Sequence, residues 1–163
     1  MQKEERGANV FTHVLYPTDF SDTAGKSLAY LKALHPAGAQ EVLVLHVIHQ
    51  RILDTLDTLH AVVYFQDGRY QEDREKAERQ LTADRKEKLR KVAAELEESG
   101  YEVRTVLRKG YPVREILKVE KEEEISVIVM GSHGRNNLGG TRIGSVSEKV
   151  VRRSASPVLL VKR

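Results

Sequence analysis

Small residues near the C-terminus carry the most chemistry in this sequence, where Val127 to Val151 reads VIVMGSHGRNNLGGTRIGSVSEKVV. Val127-Ile128-Val129-Met130 is apolar, short and β-branched, the pattern of a buried parallel strand. Gly131-x-x-Gly134 follows, then a polar loop, then Gly144-Ser145 ahead of apolar residues at Val146 and Val150. Ser145 and Glu148 form S-x-x-E, which predicts a helix starting at a Ser145 N-cap with a capping box. Helix N-termini leave backbone N–H groups unpaired and carry partial positive charge, and glycines let a ligand approach the backbone. The stretch therefore has the make-up of a phosphate cradle. Ser145 also has a plainer reading, as a cap and nothing more.

Other polar residues add to this site or stay outside it. Asp19 follows an apolar run and serves either as a ligand contact or as a cap of the next helix. His46 lies inside an apolar strand and reads as a core histidine paired with backbone. His133 falls within the cradle and faces either a ligand or solvent. Arg135 and Arg142, in an intervening loop that Gly139-Gly140 makes pliable, read either as solvated side chains or as phosphate clamps. Asp19, His133 and Ser145 do not read as a hydrolytic triad, because no nucleophile elbow is present. Without G-x-x-x-x-G-K-[ST] there is no P-loop lysine. The six histidines show no metal-ligand spacing, so no dedicated metal site is expected.

The elements that must position these residues follow in order. Val10 to Tyr16 reads as the first strand, ended by Pro17-Thr18-Asp19. Ser21-Asp22 caps a helix with Ala24, Leu28, Leu31 and Leu34 on one face. Val42 to Ile48 is a second strand. Residues 49 to 68 predict a short helix bearing Ile52, Leu53, Leu56 and Leu59, then a separate apolar patch from Val62 to Phe65, forming a flap packed on the core, a lid over a ligand or a partner-binding surface. Arg69 to Ser99 is a long charged helix with Leu89, Val92, Ala93 and Leu96 inward and i,i+4 ion pairs outward, stopped by Gly100. Tyr101 to Leu107 is a third strand. Pro112 opens a helix that buries Val113, Ile116 and Leu117. Ser126 to Met130, the cradle, a helix to Ser154 and a strand from Val158 to Val161 complete the chain. Strands alternating with helices predict an α/β fold, a doubly wound parallel sheet with helices on both faces. Ligands bind such sheets beyond the carboxyl ends of the strands, where strand order switches. Asp19 and Gly131 both fall at strand ends of that kind.

Size and composition narrow the class. The expectation is a flexible tail over residues 1–8 and a single domain over residues 9–163. With 27 basic and 24 acidic side chains, the charge balance is too even to argue for nucleic acid. No apolar run reaches the roughly 18 residues of a membrane span, and MQKEERGAN is too polar for a signal peptide. The lack of cysteine excludes thiolate chemistry and makes a cytoplasmic location the default.

Gly131-x2-Gly134-x9-Gly144-Ser145, with Tyr16-Pro17-Thr18-Asp19-Phe20-Ser21 and Leu45-His46-Val47-Ile48, resembles the ATP-binding branch of the universal stress protein family. The resemblance runs from about residue 10 to Arg163. It implies a five-stranded sheet of order 3-2-1-4-5, a homodimer through the last strand and an adenine nucleotide (ATP, or ADP/AMP) at the carboxyl edge. It also implies site residues. Asp19 would contact the adenosine, Val47 would present backbone groups to adenine, and Pro17 would wall the pocket, with Thr18 in the same segment. Met130 and Gly131 match positions near the ribose. Gly134, Gly144, Ser145, Val146 and Ser147 match positions that hold phosphates, on which Mg²⁺ or Mn²⁺ can ride. The function implied is that of a stress-response regulatory protein, a nucleotide-dependent switch with an unidentified protein partner. The alternatives are a slow ATPase or autophosphorylating enzyme, with Ser145 or Ser147 as acceptor, and a dimeric adaptor without nucleotide.

Overall fold

The computed structural model describes residues 10–64, 70–134 and 143–162. The expected tail over 1–8, Phe65, and the loop residues Arg135, Gly139, Gly140 and Arg142 lie outside the described residues. Five strands form one parallel sheet in the order β3-β2-β1-β4-β5. They are β1 (His13–Pro17), β2 (Glu41–His49), β3 (Glu102–Gly110), β4 (Val127–Gly131) and β5 (Val158–Val161). The helices are α1 (Asp22–Leu34), α2 (Gln50–Tyr64), α3 (Tyr70–Glu97), α4 (Pro112–Glu122) and α5 (Ser145–Arg153).

The continuous apolar runs of the central strands make sense because both sheet faces are covered. Side chains alternate across a strand, so Val14, Tyr16, Val42, Val44, Val127 and Val129 join Leu31 of α1 and Leu89 and Leu96 of α3 in one cluster. Leu15, Leu43, Leu45, Ile128 and Met130 join Ile116 and Val119 of α4 and Val150 of α5 in the other. Each of these large apolar side chains, fully buried, stabilises the fold by about 1.5–3 kcal/mol. Two tyrosines fasten α1 to the rest: Tyr16 donates to the Ala24 carbonyl at 2.6 Å and Tyr101 to the Leu31 carbonyl at 2.6 Å. Burial pushes both phenols up to about 12, and for Tyr16 the nearby Asp19 charge acts in the same direction.

Several boundaries differ from expectation for identifiable reasons. β1 begins at His13, where Glu41 becomes its neighbour, and Val10 stays exposed in a turn. β3 runs on to Gly110 because β2 offers partners as far as His49. The expected short helix and separate apolar patch of residues 49–64 form one helix, α2, through Tyr64. α3 ends as its glycine predicts: Gly100 has φ +93°, its N–H reaches the Glu97 carbonyl, and the Tyr101 N–H reaches Leu96. Its outer face carries the expected i,i+4 pairs, such as Lys88–Asp84 at 3.1 Å.

Two features of strand register open a crevice at the carboxyl edge. β1 and β4 pair only at Val14↔Val127 and Leu15↔Ile128, and then diverge. β2 continues beyond its last β1 partner, Leu45, while still pairing with β3 through His49. The crevice lies where strand order switches direction.

Candidate functional site

One side of the crevice is the segment leaving β1. Pro17 is the last residue of β1, where its missing N–H is not needed. The Thr18 N–H extends the ladder by one bond, to the Leu45 carbonyl at 2.8 Å. Thr18 is buried, and its hydroxyl accepts the Phe20 N–H at 3.0 Å. Its carbonyl lies 2.7 Å from Nδ1 of buried His46, which must therefore carry the proton on Nδ1. His46 is the backbone-paired core histidine expected. Phe20, held at φ +61°, stacks on it with ring centroids 4.5 Å apart. Asp19 is half-buried at the turn, and its Oδ1 accepts the Ser21 N–H at 3.0 Å. The helix cap is Ser21, whose hydroxyl accepts from the Ala24 N–H, so Asp19 is not the cap of α1.

The other side is the segment between β4 and α5. Ser132 is buried, its N–H donates to the Val161 carbonyl at 2.7 Å, and its carbonyl accepts the Gly144 N–H at 2.8 Å. This last bond brings the two ends of the loop together. The three glycines serve three different contacts. A Cβ on Gly131 would meet the backbone of α1, at 3.1 Å from Ala24 N and Thr23 C. A Cβ on Gly134 would lie 2.7 Å from Asp19 Oδ2, so Gly134 is where the two sides of the crevice touch. A Cβ on Gly144 would lie 3.2 Å from the Ser132 carbonyl oxygen.

The start of α5 corrects one expectation. Its N-cap is Gly144, with no side-chain cap, and Ser145 is the first helical residue and exposed. The capping box is absent because the Ser132–Gly144 bond fixes Gly144 as the cap. Glu148 instead pairs with Arg152 at 3.0 Å. An N-terminus without a side-chain cap keeps its first amides available to an anion. Ser147 is buried and donates its hydroxyl proton to the Gly131 carbonyl at 2.9 Å, tying α5 to the end of β4. Val146 packs half-buried on the core, and Met130 is fully within it, so Met130 can offer a ligand only its backbone.

Val47 lies across the crevice. Backbone groups of successive residues in a strand point to opposite neighbours, so those of alternate residues point to the same one. The Leu45 carbonyl points towards β1, so the N–H and C=O of Val47 point the same way, past the end of β1. The structure thus brings Pro17, Thr18, Asp19, Val47, Gly131, Gly134, Gly144 and the start of α5 to one edge. Sequence reasoning gave no role to Ser132, which no motif flags, or to Phe20, which lies in the Tyr16–Ser21 motif, although both shape this edge. Among the described residues no group of three His, Asp or Glu could hold a metal ion, and no helix is long and apolar enough to cross a membrane.

Residues 11–162 match the sequence profile of the universal stress protein family. The chain is 37% identical to universal stress protein MJ0577 of Methanocaldococcus jannaschii, over 94% of this chain and 96% of that protein. The solved structure of MJ0577 superposes with a TM-score of 0.80, covering 94% of this chain and 97% of that one. The same fold occurs in a universal stress protein in complex with cAMP (TM-score 0.62, 19% identity, 93% and 97% covered). It occurs again in the Archaeoglobus fulgidus universal stress protein in complex with dAMP (TM-score 0.60, 20% identity, 93% and 98% covered). The profile match over nearly the whole length, with the five-stranded order expected of such proteins, shows that this chain belongs to the universal stress protein family.

Proposed function

We propose that the chain is an adenine-nucleotide-binding regulatory protein, a cytoplasmic homodimer that changes its surface with bound ATP and is read by a protein partner. The observation that carries this reading is the contact of Asp19 with Gly134 in a crevice that also holds the open N-terminus of α5. A carboxylate suits ribose hydroxyls, and uncapped helical amides suit phosphate. The Val47 backbone offers one donor and one acceptor to a purine edge. The cAMP and dAMP held by two proteins of this fold support the adenine class. In this assignment Pro17 and Thr18 wall the nucleoside, Met130 and Gly131 lie by the ribose, and Gly134, Gly144, Ser145, Val146 and Ser147 surround the phosphates. The donor set is amides and the Ser145 hydroxyl, which hold anions, so Mg²⁺ or Mn²⁺ would ride on the phosphates and offset their charge.

The homodimer part of the proposal rests on β5. It is an edge strand of uninterrupted apolar residues with Leu159 partly exposed, and exposed Val151 lies on the helix before it. Such an edge calls for a cover. Mass spectrometry of the freshly purified, denatured protein tests the nucleotide directly, and ATP or ADP is expected. Calorimetric titration with ATP and Mg²⁺ should give heat saturating at one nucleotide per chain. No co-purified nucleotide and no heat at high micromolar protein would overturn the reading. Sedimentation at equilibrium checks the dimer.

A further inference from the structure

His133 stands between the glycines of the crevice and belongs to none of the roles assigned so far. Its Nδ1 lies 2.7 Å from the Ser132 hydroxyl. Its Nε2 is shielded from solvent and has no hydrogen-bond partner among the described residues. The direction of the Ser132–His133 bond follows from counting protons. Ser132 is buried, and its hydroxyl makes no other hydrogen bond among the described residues. If the ring donated from Nδ1, the hydroxyl proton would be left buried without an acceptor. If the hydroxyl donates to Nδ1, both groups are satisfied, and the ring proton is on Nε2. Ser132 is itself fixed, because its N–H and carbonyl are bound to Val161 and Gly144. The ring is therefore held in one tautomer by a rigid neighbour, and the held atom is a buried donor with no acceptor among the described residues. Native proteins leave few such donors.

We propose that His133, set in its Nε2–H tautomer by Ser132, donates a hydrogen bond to a phosphate oxygen of the nucleotide. This rests on the adenine-nucleotide reading above and adds a phosphate-sensing side chain to a cradle otherwise made of amides and the Ser145 hydroxyl. The neighbourhood fits an anion. His133 Cα is 3.5 Å from where a Gly144 Cβ would lie, one residue from the start of α5, and Gly134 follows it in sequence. Ser132 is a positioning residue: it acts through the ring.

The test is titration calorimetry with ATP and with adenosine on the wild type, His133→Ala, His133→Gln and Ser132→Ala, each first shown folded by thermal melting. Long-range ¹⁵N–¹H NMR of the wild type reports the ring tautomer. His133→Ala should weaken ATP binding about tenfold or more, the worth of a hydrogen bond to a charged group, and leave adenosine binding unchanged. His133→Gln, whose amide nitrogen can stand near the place of Nε2, should recover most of the loss. Ser132→Ala should fall between the two, with the tautomers mixed. Equal ATP affinity in wild type and His133→Ala overturns the inference while the nucleotide reading stands. Equal loss for ATP and adenosine also overturns it, showing a structural role. An Nδ1–H tautomer removes the positioning argument and the inference with it. A wild type that binds no ATP removes both this inference and the reading beneath it.

Discussion

The two segments that meet at the crevice differ in how much they depend on close approach. Thr18 to Ser21, leaving β1, is held by polar partners: the Leu45 carbonyl, the His46 imidazole and the Asp19 and Thr18 side chains, which bond to the backbone of their own turn. Gly131 to Gly134 and Gly144, the described ends of the segment leaving β4, add close approach to hydrogen bonding: Ser132 is bound to Val161 and Gly144, and glycines stand against α1, against Asp19 and against the Ser132 carbonyl. A segment fixed by donors and acceptors should tolerate some change of volume and suffer when a donor is lost. A segment fixed by close approach should do the reverse. The difference gives each variant below an expected direction.

The largest effect is expected at Gly131. Its would-be Cβ meets two backbone atoms of α1 at 3.1 Å and the Thr23 methyl at 3.2 Å, and backbone cannot rotate away. Gly131→Val should therefore push α1 off the sheet and destabilise by about 3 kcal/mol, the upper range for overpacking. Urea melts should show a lower midpoint at unchanged slope. A loss below about 0.5 kcal/mol, the usual range for a harmless surface change, would show that closeness does not hold this segment.

The matching experiment on the β1 side removes a donor. His46 is buried and donates from Nδ1 to the Thr18 carbonyl. His46→Leu roughly conserves volume but leaves that carbonyl buried and unpaired, at a cost of about 1–3 kcal/mol. His46→Asn, which is smaller but keeps a donor near the Nδ1 position, should be the milder change in the same melts. The opposite order, with Asn worse than Leu, would mean that ring volume and the Phe20 stack fix the turn.

This asymmetry explains what the sequence disclosed and what it hid. Apolar runs and helical spacing reveal strands and helices because burial on both sheet faces demands them, and the order of the sheet followed from the family resemblance. Ser21 was legible as a cap because its chemistry is local. The glycine motif was legible as a site, but its division of labour was not. Gly131, Gly134 and Gly144 look alike in sequence, and the contacts that distinguish them come from α1, Asp19 and Ser132. S-x-x-E suggested a Ser145 cap, since it records local preference and not the Gly144–Ser132 bond that moves the helix start by one residue. Ser132 matters through bonds to Val161 and Gly144, partners beyond the reach of any local motif.

A smaller effect is expected at Tyr16, which ties β1 to α1. Its phenol is raised to about 12 by burial, with the Asp19 charge adding to it. The folded protein therefore keeps a proton that the unfolded chain releases near the ordinary value of about 10. The stability from this group is complete below about pH 10 and falls as pH rises towards about 12. Tyr16→Phe should cost about 1 kcal/mol at neutral pH, the worth of one hydrogen bond, and should flatten the alkaline decline between pH 9 and 11.5. Tyr101, raised to about 12 by burial, supplies the slope that remains. An alkaline decline of the same steepness in Tyr16→Phe would show that this phenol is not part of what anchors the β1 side.

The smallest effect on stability is expected where the two segments touch, and there the comparison becomes a coupling. A Cβ on Gly134 would lie 2.7 Å from Asp19 Oδ2, but that atom is the far end of a side chain and can swing aside. Gly134 is exposed, so Gly134→Ala should change the unfolding free energy by no more than about 0.5 kcal/mol, as exposed substitutions do. Nucleotide affinity should still fall, because the displaced carboxylate is the group assigned to the nucleoside. The two residues then act as one unit. In an Asp19→Ala background, Gly134→Ala should cost little further affinity, whereas independent sites would give additive losses. Calorimetric titration of the wild type, both single variants and the double variant with ATP decides between these outcomes. Additive losses would mean that Gly134 serves the phosphates alone and that the two sides of the crevice meet without acting on each other.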